Sequence, residues 1–231
     1  LSEIPDEFEV KTLGVKDQKD KDFCSSFSST VVSEVQEGVE LDPLYQFSRI
    51  KEISGDYAEW GADLRDTAKS FKDTGSIEQK DAPFIIDRDR DFLANPARYP
   101  IMFKDTAKRH KKLSYVFVYG FDQIRQTMWM NKDKKQAALI GLMWCSDWGT
   151  IIKKVGTPYF GHAVAVVGWK KIDGEVMLKI QNSWSENMGD KGFYYISKEV
   201  IDANKDYGAV VFTDLPVDAA REINDSDFLF G

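Results

Sequence analysis

The chain has 231 residues, of which 42% are hydrophobic, 13% aromatic and 30% charged, a composition typical of a globular protein and not of a disordered or fibrous one. Its longest apolar runs, residues 137–145 and 163–169, are far shorter than the ~20 residues that span a bilayer, which excludes a membrane-spanning protein. Lys and Arg total 31 against 38 Asp and Glu, and this net charge of −7 argues against a nucleic-acid partner.

The first half of the chain is predicted to be mainly helical. Asp22 stands where an N-cap belongs, Gly38 is typical of a helix end, and the apolar residues between them recur at the spacing of one helical face. That face consists of Cys24, Phe27, Val31 and Val35. A second helix is predicted over residues 62–71 and a third over residues 94–109, interrupted by two prolines.

A basic run, KDTAKRHKK, occupies residues 104–112 and is the only candidate for a nucleic-acid footprint. Such runs usually form the solvated face of an amphipathic helix. We therefore expect His110 to be exposed to solvent and no nucleic acid to bind.

Strand patterns dominate after residue 115, with one helix around residues 121–130. Short apolar runs and alternating patterns predict the strands. They cover residues 137–144, 163–169, 176–181, 193–196 and 209–212. A helical half followed by an antiparallel sheet is the α+β class.

Cys24 lies in the first turn of the first predicted helix. A cysteine on an apolar helical face is most often a small buried hydrophobe. The first turn, however, has unpaired N–H groups and the positive end of the helix dipole, and both stabilise a thiolate. Cys24 is therefore either a core residue or a nucleophile, and a nucleophile also needs a base.

His162 is the candidate base, because it opens the apolar strand at residues 163–169, although a histidine at a strand end is more often structural. A five-residue loop after this strand would place His162 opposite Asn182, whereas a two-residue turn at residues 173–174 would shift the pairing by three residues. In the first register, an inward-facing Asn182 can hold the imidazole in one tautomer and orientation.

Three segments follow one another in a particular order. Gln18 precedes Cys24 by six residues, residues 161–169 read GHAVAVVGW, and residues 182–195 contain NSW followed by GFYY. In this order and spacing the segments resemble the papain-like cysteine peptidases, and the likeness covers most of residues 4–215. The resemblance implies an α+β, papain-like two-domain fold.

The resemblance implies a cleft between a mainly helical domain at residues 11–114 and an antiparallel, β-barrel-like domain at residues 115–215. A tail follows at residues 216–231. The implied activity is that of a cysteine endopeptidase that hydrolyses peptide bonds without a metal or a cofactor. Its expected partners are peptide or protein substrates and a propeptide, either removed or acting in trans. We expect a monomer that binds no membrane.

Each catalytic role is also implied by the resemblance. Cys24 would be the nucleophile, and His162 would hold the proton and deliver it to the leaving amine. Asn182 would orient His162, with Trp184 packed over their hydrogen bond. Gln18 would stabilise the oxyanion together with the backbone N–H of Cys24.

The residues around Cys24 depart from the family signature C-G-[SA]-C-[WY], because residues 21–25 read KDFCS. Lys21 replaces the first signature cysteine, which is normally disulfide-bonded, and its partner segment near residues 59–61 has no cysteine. If Cys24 is a free thiolate at the cleft, Cys145 in its apolar strand has no partner, so we expect no intrachain disulfide, which favours a reducing compartment such as the cytoplasm. Residues 1–10 are acidic and show no signal peptide, so either the protein stays inside the cell or the chain is a mature form.

Substrate contacts are expected at several positions around the nucleophile and on the facing wall. Asp22 either faces the S1 subsite, where its carboxylate would favour a basic P1 side chain, or caps the Cys24 helix and never meets substrate. Gly61, Ile140 and Ala163 are expected to line an apolar S2 pocket. The full set of expected contacts is Asp22, Phe23, Gly61, Ala62, Ile140, Ala163 and Trp184.

Two other classes of function compete with the endopeptidase. The altered surroundings of Cys24 suggest a papain-like binding or scaffolding module with weakened catalysis. An acyl transferase or a transglutaminase-like enzyme would usually have aspartate as the third residue, so Asn182 counts against that class.

Overall fold

The structure is a computed structural model that describes residues 3–213, so the tail expected at residues 216–231 lies outside the described residues. Five helices precede residue 108 and two follow it within that range. They are α1 Cys24–Glu37, α2 Pro43–Ser54, α3 Leu64–Asp73, α4 Arg90–Ala94, α5 Phe103–Ala107, α6 Gly120–Met130 and α7 Lys198–Ala203. In the described part of the chain no helix is long and apolar enough to cross a bilayer.

Eight strands form one sheet in the order β2-β8-β3-β5-β6-β7-β4, with β1 paired to β5. All pairs are antiparallel except β4 with β7. The strands are β1 Phe8–Glu9, β2 Ser114–Val118, β3 Ala138–Cys145, β4 Ile151–Ile152, β5 Pro158–Ile172, β6 Glu175–Gln181, β7 Phe193–Ile196 and β8 Ala209–Thr213. The predicted α+β class is confirmed, whereas the division into domains at residue 114 stays a prediction.

Alternate residues of β5 face two separate cores. Ala163 and Ala165 pack with α1 and α3, whereas Val164 and Val166 pack with α6 and α7. This alternation follows from the two-residue period of a strand. The result is a sheet buried on both faces, with α1 lying against one of them.

The buried helix α1 is central to the molecule. It spans Cys24–Glu37, and the predicted stop residue Gly38 is its C-cap, with a φ of +74° and an N–H that donates to the carbonyl of Glu34 at 2.7 Å. Four of its hydroxyl side chains donate to backbone carbonyls, which allows them to be buried, namely Ser26, Ser28, Ser29 and Thr30. Ser28 donates to the carbonyl of Ala163 in β5 at 2.9 Å. This hydrogen bond fixes α1 against β5, the strand that contains His162.

Two expectations about the helical half are wrong. Residues 94–109 do not form one helix, because Pro96 and Pro100 break the backbone into α4, α5 and 3₁₀ turns. The basic run is not fully solvated either. His110 and Lys112 are buried, and both pair with Glu37 at the end of α1.

Helix α2 was not predicted, although its start has a clear signal. The Asp42 carboxylate accepts hydrogen bonds from the N–H groups of Leu44 and Tyr45 at 3.1 and 3.2 Å. Pro43 occupies the first helical position, where a missing N–H costs nothing. The Asp-Pro pair is therefore a local start signal for the helix.

Of the two registers considered for β5 and β6, the one with a five-residue loop is wrong, and the one with a two-residue turn is observed next to the turn. The connecting turn has only two residues, Asp173 and Gly174, with φ values of 50° and 86°, a geometry that matches the twist of paired strands. A bulge near Gly168 then shifts the pairing by one residue. A Cβ at Gly168 would lie 2.2 Å from the carbonyl oxygen of Phe8, so glycine is required where β1 approaches.

Candidate active site

An open cleft of about 940 Å³ lies between the start of α1 and the sheet. Cys24 lines one side, and His162 and Ala163 of β5 line the other. Residues 59–62, in the loop between α2 and α3, form a further wall. The structure therefore brings the predicted thiol and the predicted imidazole into one cleft.

Cys24 is partly exposed at the start of α1. Desolvation of the sulfur raises the pKa of the thiol. Contacts with the backbone of Ala163 and Ser25 act in the opposite direction, and the nearby carboxylate of Asp22 raises this pKa further. The N–H groups of the first helical turn have no acceptor within the helix, so they are available to an acceptor at the N-terminal end of α1.

His162 is buried and bonded to Asn182. The imidazole Nε2 lies 2.8 Å from Asn182 Oδ1, which also accepts the N–H of Ser183 at 2.8 Å. With Nε2 as the donor, Nδ1 is the nitrogen left to exchange a proton with a neighbouring group. Burial lowers the pKa of His162 to about 4, while the hydrogen bond to Asn182 acts in the opposite direction.

Three aromatic rings surround the imidazole. Trp184 stacks on His162 with a ring-centroid distance of 4.5 Å and an interplanar angle of 22°. Trp144 and Phe160 approach edge-on at 5.5 and 5.7 Å. These rings keep water from the hydrogen bond to Asn182, which strengthens it in a low-dielectric setting. The sequence did not predict Trp144 and Phe160 at the site, because neither carries a reactive group that would mark it.

Gln18 is buried and held at both ends of its amide. Nε2 donates to the carbonyl of Lys21 at 2.6 Å, and Oε1 accepts the hydroxyl of Ser183. Its backbone N–H also donates to the carbonyl of Ser183 at 2.8 Å. One amide proton is left for another acceptor. Ser183 thus joins Gln18 to Asn182. Sequence reasoning did not assign Ser183 to the site, although it lies between two residues that it did assign, Asn182 and Trp184.

Four of the expected substrate contacts lie around the cleft. Gly61, Ala62 and Ala163 line it directly. Trp184 lies behind His162 rather than along the lining. That Gly61 and Ala163 line an S2 subsite stays a prediction.

Two other expected contacts are wrong. Ile140 is buried in the core on the face of the sheet away from α1, because side chains alternate along β3. Phe23 is completely buried, with its ring centroid 4.0 Å from that of Phe47. Neither side chain faces the cleft.

Asp22 has partners within the protein. Its carboxylate accepts hydrogen bonds from Arg90 Nε at 3.1 Å, Arg90 Nη2 at 2.9 Å and the N–H of Gly61 at 2.7 Å. Phe23, not Asp22, is the N-cap residue of α1, so the capping alternative is wrong. The guanidinium of Arg90 also neutralises the charge that was expected to favour a basic P1 side chain.

Both cysteines of the chain fall within the described residues, and both are free. Cys145 is buried in β3. The expectation that Cys24 and Cys145 do not form a disulfide is confirmed.

Comparisons with known proteins concern the family and the fold of the chain. A family model described as papain family cysteine protease matches residues 4–210. The structure of xylellain, a cysteine protease from Xylella fastidiosa, is similar to this one, with a TM-score of 0.76 and 18% identity. The match covers 93% of this chain and 88% of xylellain. ProCathepsin B S9 from Trypanosoma congolense is similar over 92% of this chain and 78% of its own, with a TM-score of 0.73 and 16% identity. At such identities the likeness concerns the fold.

A curated relative matches a short segment only. Cathepsin B-like cysteine proteinase 3 of Ostertagia ostertagi is 50% identical over 34 residues, which are 15% of this chain and 20% of that protein. The matched segment thus spans about a fifth of the relative's length.

Proposed function

Since the chain belongs to the papain family of cysteine proteases, we propose that it is an endopeptidase in which Cys24 attacks the peptide carbonyl. The observation that carries this proposal is the buried hydrogen bond between His162 and Asn182 in the cleft that Cys24 lines. An imidazole fixed by an amide beside a thiol at a helix start is the arrangement that thiolate chemistry requires.

The first step is proton transfer from the Cys24 thiol to Nδ1 of His162. Burial disfavours a lone thiolate and a lone imidazolium, so the two charges form together and stabilise one another as an ion pair. Asn182 keeps Nε2–H as a donor throughout and so holds the ring in place.

The thiolate then adds to the carbonyl carbon, and the carbonyl oxygen becomes an oxyanion. The backbone N–H of Cys24 and the remaining amide proton of Gln18 donate to that oxyanion. As the C–N bond breaks, His162 gives its proton to the leaving amine, and a thioester on Cys24 remains. A water molecule that loses a proton to His162 then hydrolyses the thioester and restores the thiol.

Peptides and proteins are the proposed substrates, with the chain of the substrate passing between Ala163 and the loop at Gly61 and Ala62. One of the similar structures is named as a proenzyme, proCathepsin B S9. We therefore also propose a propeptide, in the same chain or in trans, as an occupant of this cleft before activation.

A catalytically weakened binding module is the second candidate. One observation favours it, because burial raises the pKa of the Cys24 thiol and so disfavours the thiolate. Such a protein would bind peptides in the same cleft without cleaving them.

The deciding experiment combines covalent labelling with peptide cleavage. An epoxide peptidyl inhibitor should modify Cys24 stoichiometrically, as located by mass spectrometry, and leave Cys145 unmodified. The wild type should cleave members of a peptide library, and Cys24→Ala should cleave none while keeping its fold, because it opens only a very small cavity. Cys145→Ala is the matched control and should remain active.

The two candidates give opposite results in this experiment. A wild type that binds peptides but is neither labelled nor able to cleave would be the binding module. Activity that survives in Cys24→Ala would exclude Cys24 as the nucleophile.

A further inference from the structure

The loop between α2 and α3, residues 55–62, is here called the cleft loop. Five of its residues line the cleft, namely Asp56, Glu59, Trp60, Gly61 and Ala62. Its middle is largely exposed, and Trp60 is 74% exposed. Apolar burial therefore contributes little to holding this loop in place.

Charged side chains from outside the cleft loop bind its backbone. Arg90 Nη2 donates to the carbonyl of Glu59 at 2.6 Å, and Arg90 Nη1 donates to the carbonyl of Tyr57. Lys51 Nζ donates to the same Glu59 carbonyl at 2.8 Å. The Asp22 carboxylate receives the N–H of Gly61 at 2.7 Å. The loop is thus held at three backbone positions.

Asp22 and Arg90 also bind one another, through Nε at 3.1 Å and Nη2 at 2.9 Å. Their side chains are only 7% and 12% exposed. A paired arginine fork of this kind is stronger than an exposed ion pair, and removal of one partner leaves a buried charge without compensation. The pair is therefore well suited to hold a loop rigidly.

The position of this pair links the two sides of the candidate subsite. Asp22 precedes Cys24 by two residues, whereas Gly61 lies on the cleft loop. Both oxygens of Asp22 are used by Arg90 and Gly61, and neither residue of the pair is among those that line the cleft. The pair thus acts on the shape of the cleft without touching the reacting atoms.

We propose that Asp22 and Arg90 are positioning residues that hold the cleft loop at the distance from Cys24 that a bound peptide requires. This role rests on the proposed peptidase function. Loss of the pair lets the cleft loop move away and weakens peptide binding. It leaves the positions of the thiol and the imidazole, and the hydrogen bond between His162 and Asn182, unchanged.

The test separates peptide binding from the reactivity of the thiol. KM and kcat are measured with a peptide substrate, and the rate of alkylation of Cys24 is measured with iodoacetamide, which is too small to need the cleft loop. In Arg90→Gln, KM should rise about 10-fold or more, while kcat and the alkylation rate stay within about 2-fold of wild type. Arg90→Lys keeps the charge but not the fork, so its KM should be intermediate.

Arg88→Gln is the matched control. Arg88 lies two residues away and exposed, with its guanidinium over the ring of Phe92, so KM should not change. Asp22→Asn should raise KM like Arg90→Gln, and the double variant should be no worse than either single one, because the two residues act as a unit.

Three results would overturn the positioning role: an unchanged KM in both Arg90 variants, a KM rise of equal size in Arg88→Gln, or a fall in the alkylation rate that parallels the loss of peptide cleavage. The last result would mean that the pair supports the whole fold. If Arg90→Gln does not fold, Arg90→Lys and Asp22→Asn supply the same comparison. A failure of the proposed peptidase function is distinct, since the wild type itself would then neither cleave peptide nor react with the epoxide inhibitor.

Discussion

The two walls of the cleft hold their side chains by different physical means. On the sheet wall, His162 is enclosed by aromatic rings and makes a buried hydrogen bond to Asn182. On the helix wall, the buried ion pair of Asp22 and Arg90 binds the backbone of the loop that faces Cys24. Aromatic packing thus holds the sheet wall, and an ion pair holds the helix wall.

This difference has consequences for both walls. Aromatic packing excludes water and so lowers the pKa of His162. This packing does not depend on charged side chains. An ion-paired loop is rigid only while both charges are present. Substitutions around His162 on the sheet wall should therefore change the chemistry and its pH dependence, and substitutions of Asp22 or Arg90 on the helix wall should change peptide binding.

The largest effect on the sheet wall is expected for Asn182→Ala. The change leaves two buried donors, His162 Nε2–H and the N–H of Ser183, without their shared acceptor. Loss of such a bond costs ~1–3 kcal/mol, so kcat/KM for a peptide should fall about 10- to 100-fold. Steady-state kinetics measure this loss.

Asn131→Ala is a matched control, because Asn131 bonds to the carbonyl of Thr127 at the end of α6, outside the cleft lining. Its kcat/KM should equal that of the wild type. An Asn182→Ala enzyme as inactive as Cys24→Ala would contradict an orienting role for Asn182.

A smaller effect is expected for Trp184→Leu, which removes the ring stacked on His162. An aromatic contact of this kind contributes ~0.5–1.5 kcal/mol, so kcat/KM should fall about 2- to 10-fold. Trp148→Leu is the control, since Trp148 contacts Trp144 at 5.3 Å, one ring further from the imidazole. Equal losses in the two variants would argue against a specific role for the stack.

The pKa of His162 tests directly whether water is excluded from the sheet wall. In Cys24→Ala, where no thiolate can form, burial should hold the pKa of His162 near 4, below the usual 6.5. Proton NMR of the imidazole measures this pKa, and the chain has only one other histidine, His110. Adding Trp184→Leu should admit water and raise the pKa toward 6.5.

The same shift predicts the effect of pH on stability. The neutral form of His162 is favoured by folding, so the unfolded chain binds more protons between pH 6.5 and 4. The contribution of His162 to the free energy of unfolding is therefore complete above pH 6.5 and is lost as the pH falls toward 4. Burial raises the pKa of Asp42 to about 6, so this carboxyl contributes the opposite dependence over most of the same window. The loss is therefore measured as the difference in denaturant unfolding between Cys24→Ala and the same variant carrying His162→Gln, and an identical pH dependence in the two would argue against a desolvated imidazole.

The smallest effect is expected from reductant. The helix wall is held by charge, and both cysteines are free, so a strong reductant should leave Tm unchanged. A thermal melt with and without reductant measures this. A large fall in Tm would indicate a disulfide and would contradict Cys24 as a free nucleophile.

Local patterns in the sequence were sufficient for much of the fold. The end of α1 at its C-cap Gly38 follows from helical spacing and from the ease with which glycine adopts positive φ, whereas the N-cap is Phe23 and not the predicted Asp22. The strand Phe193–Ile196 was predicted with its correct bounds. Gln18, Cys24, His162 and Asn182 were named as the candidate site through the resemblance to papain-like peptidases, which rests on the combined order and spacing of their segments along the chain.

Contacts between distant residues were decided by the tertiary structure. His162 meets Asn182 despite a register that differs from the predicted one, because a two-residue turn and a bulge together set the pairing of β5 with β6. Asp22 binds Arg90, 68 residues away, and the sequence around Asp22 contains no sign of that partner. A side chain's neighbours in sequence determine helix, strand and turn, whereas the partner of a buried charge depends on which segments the packed core brings together.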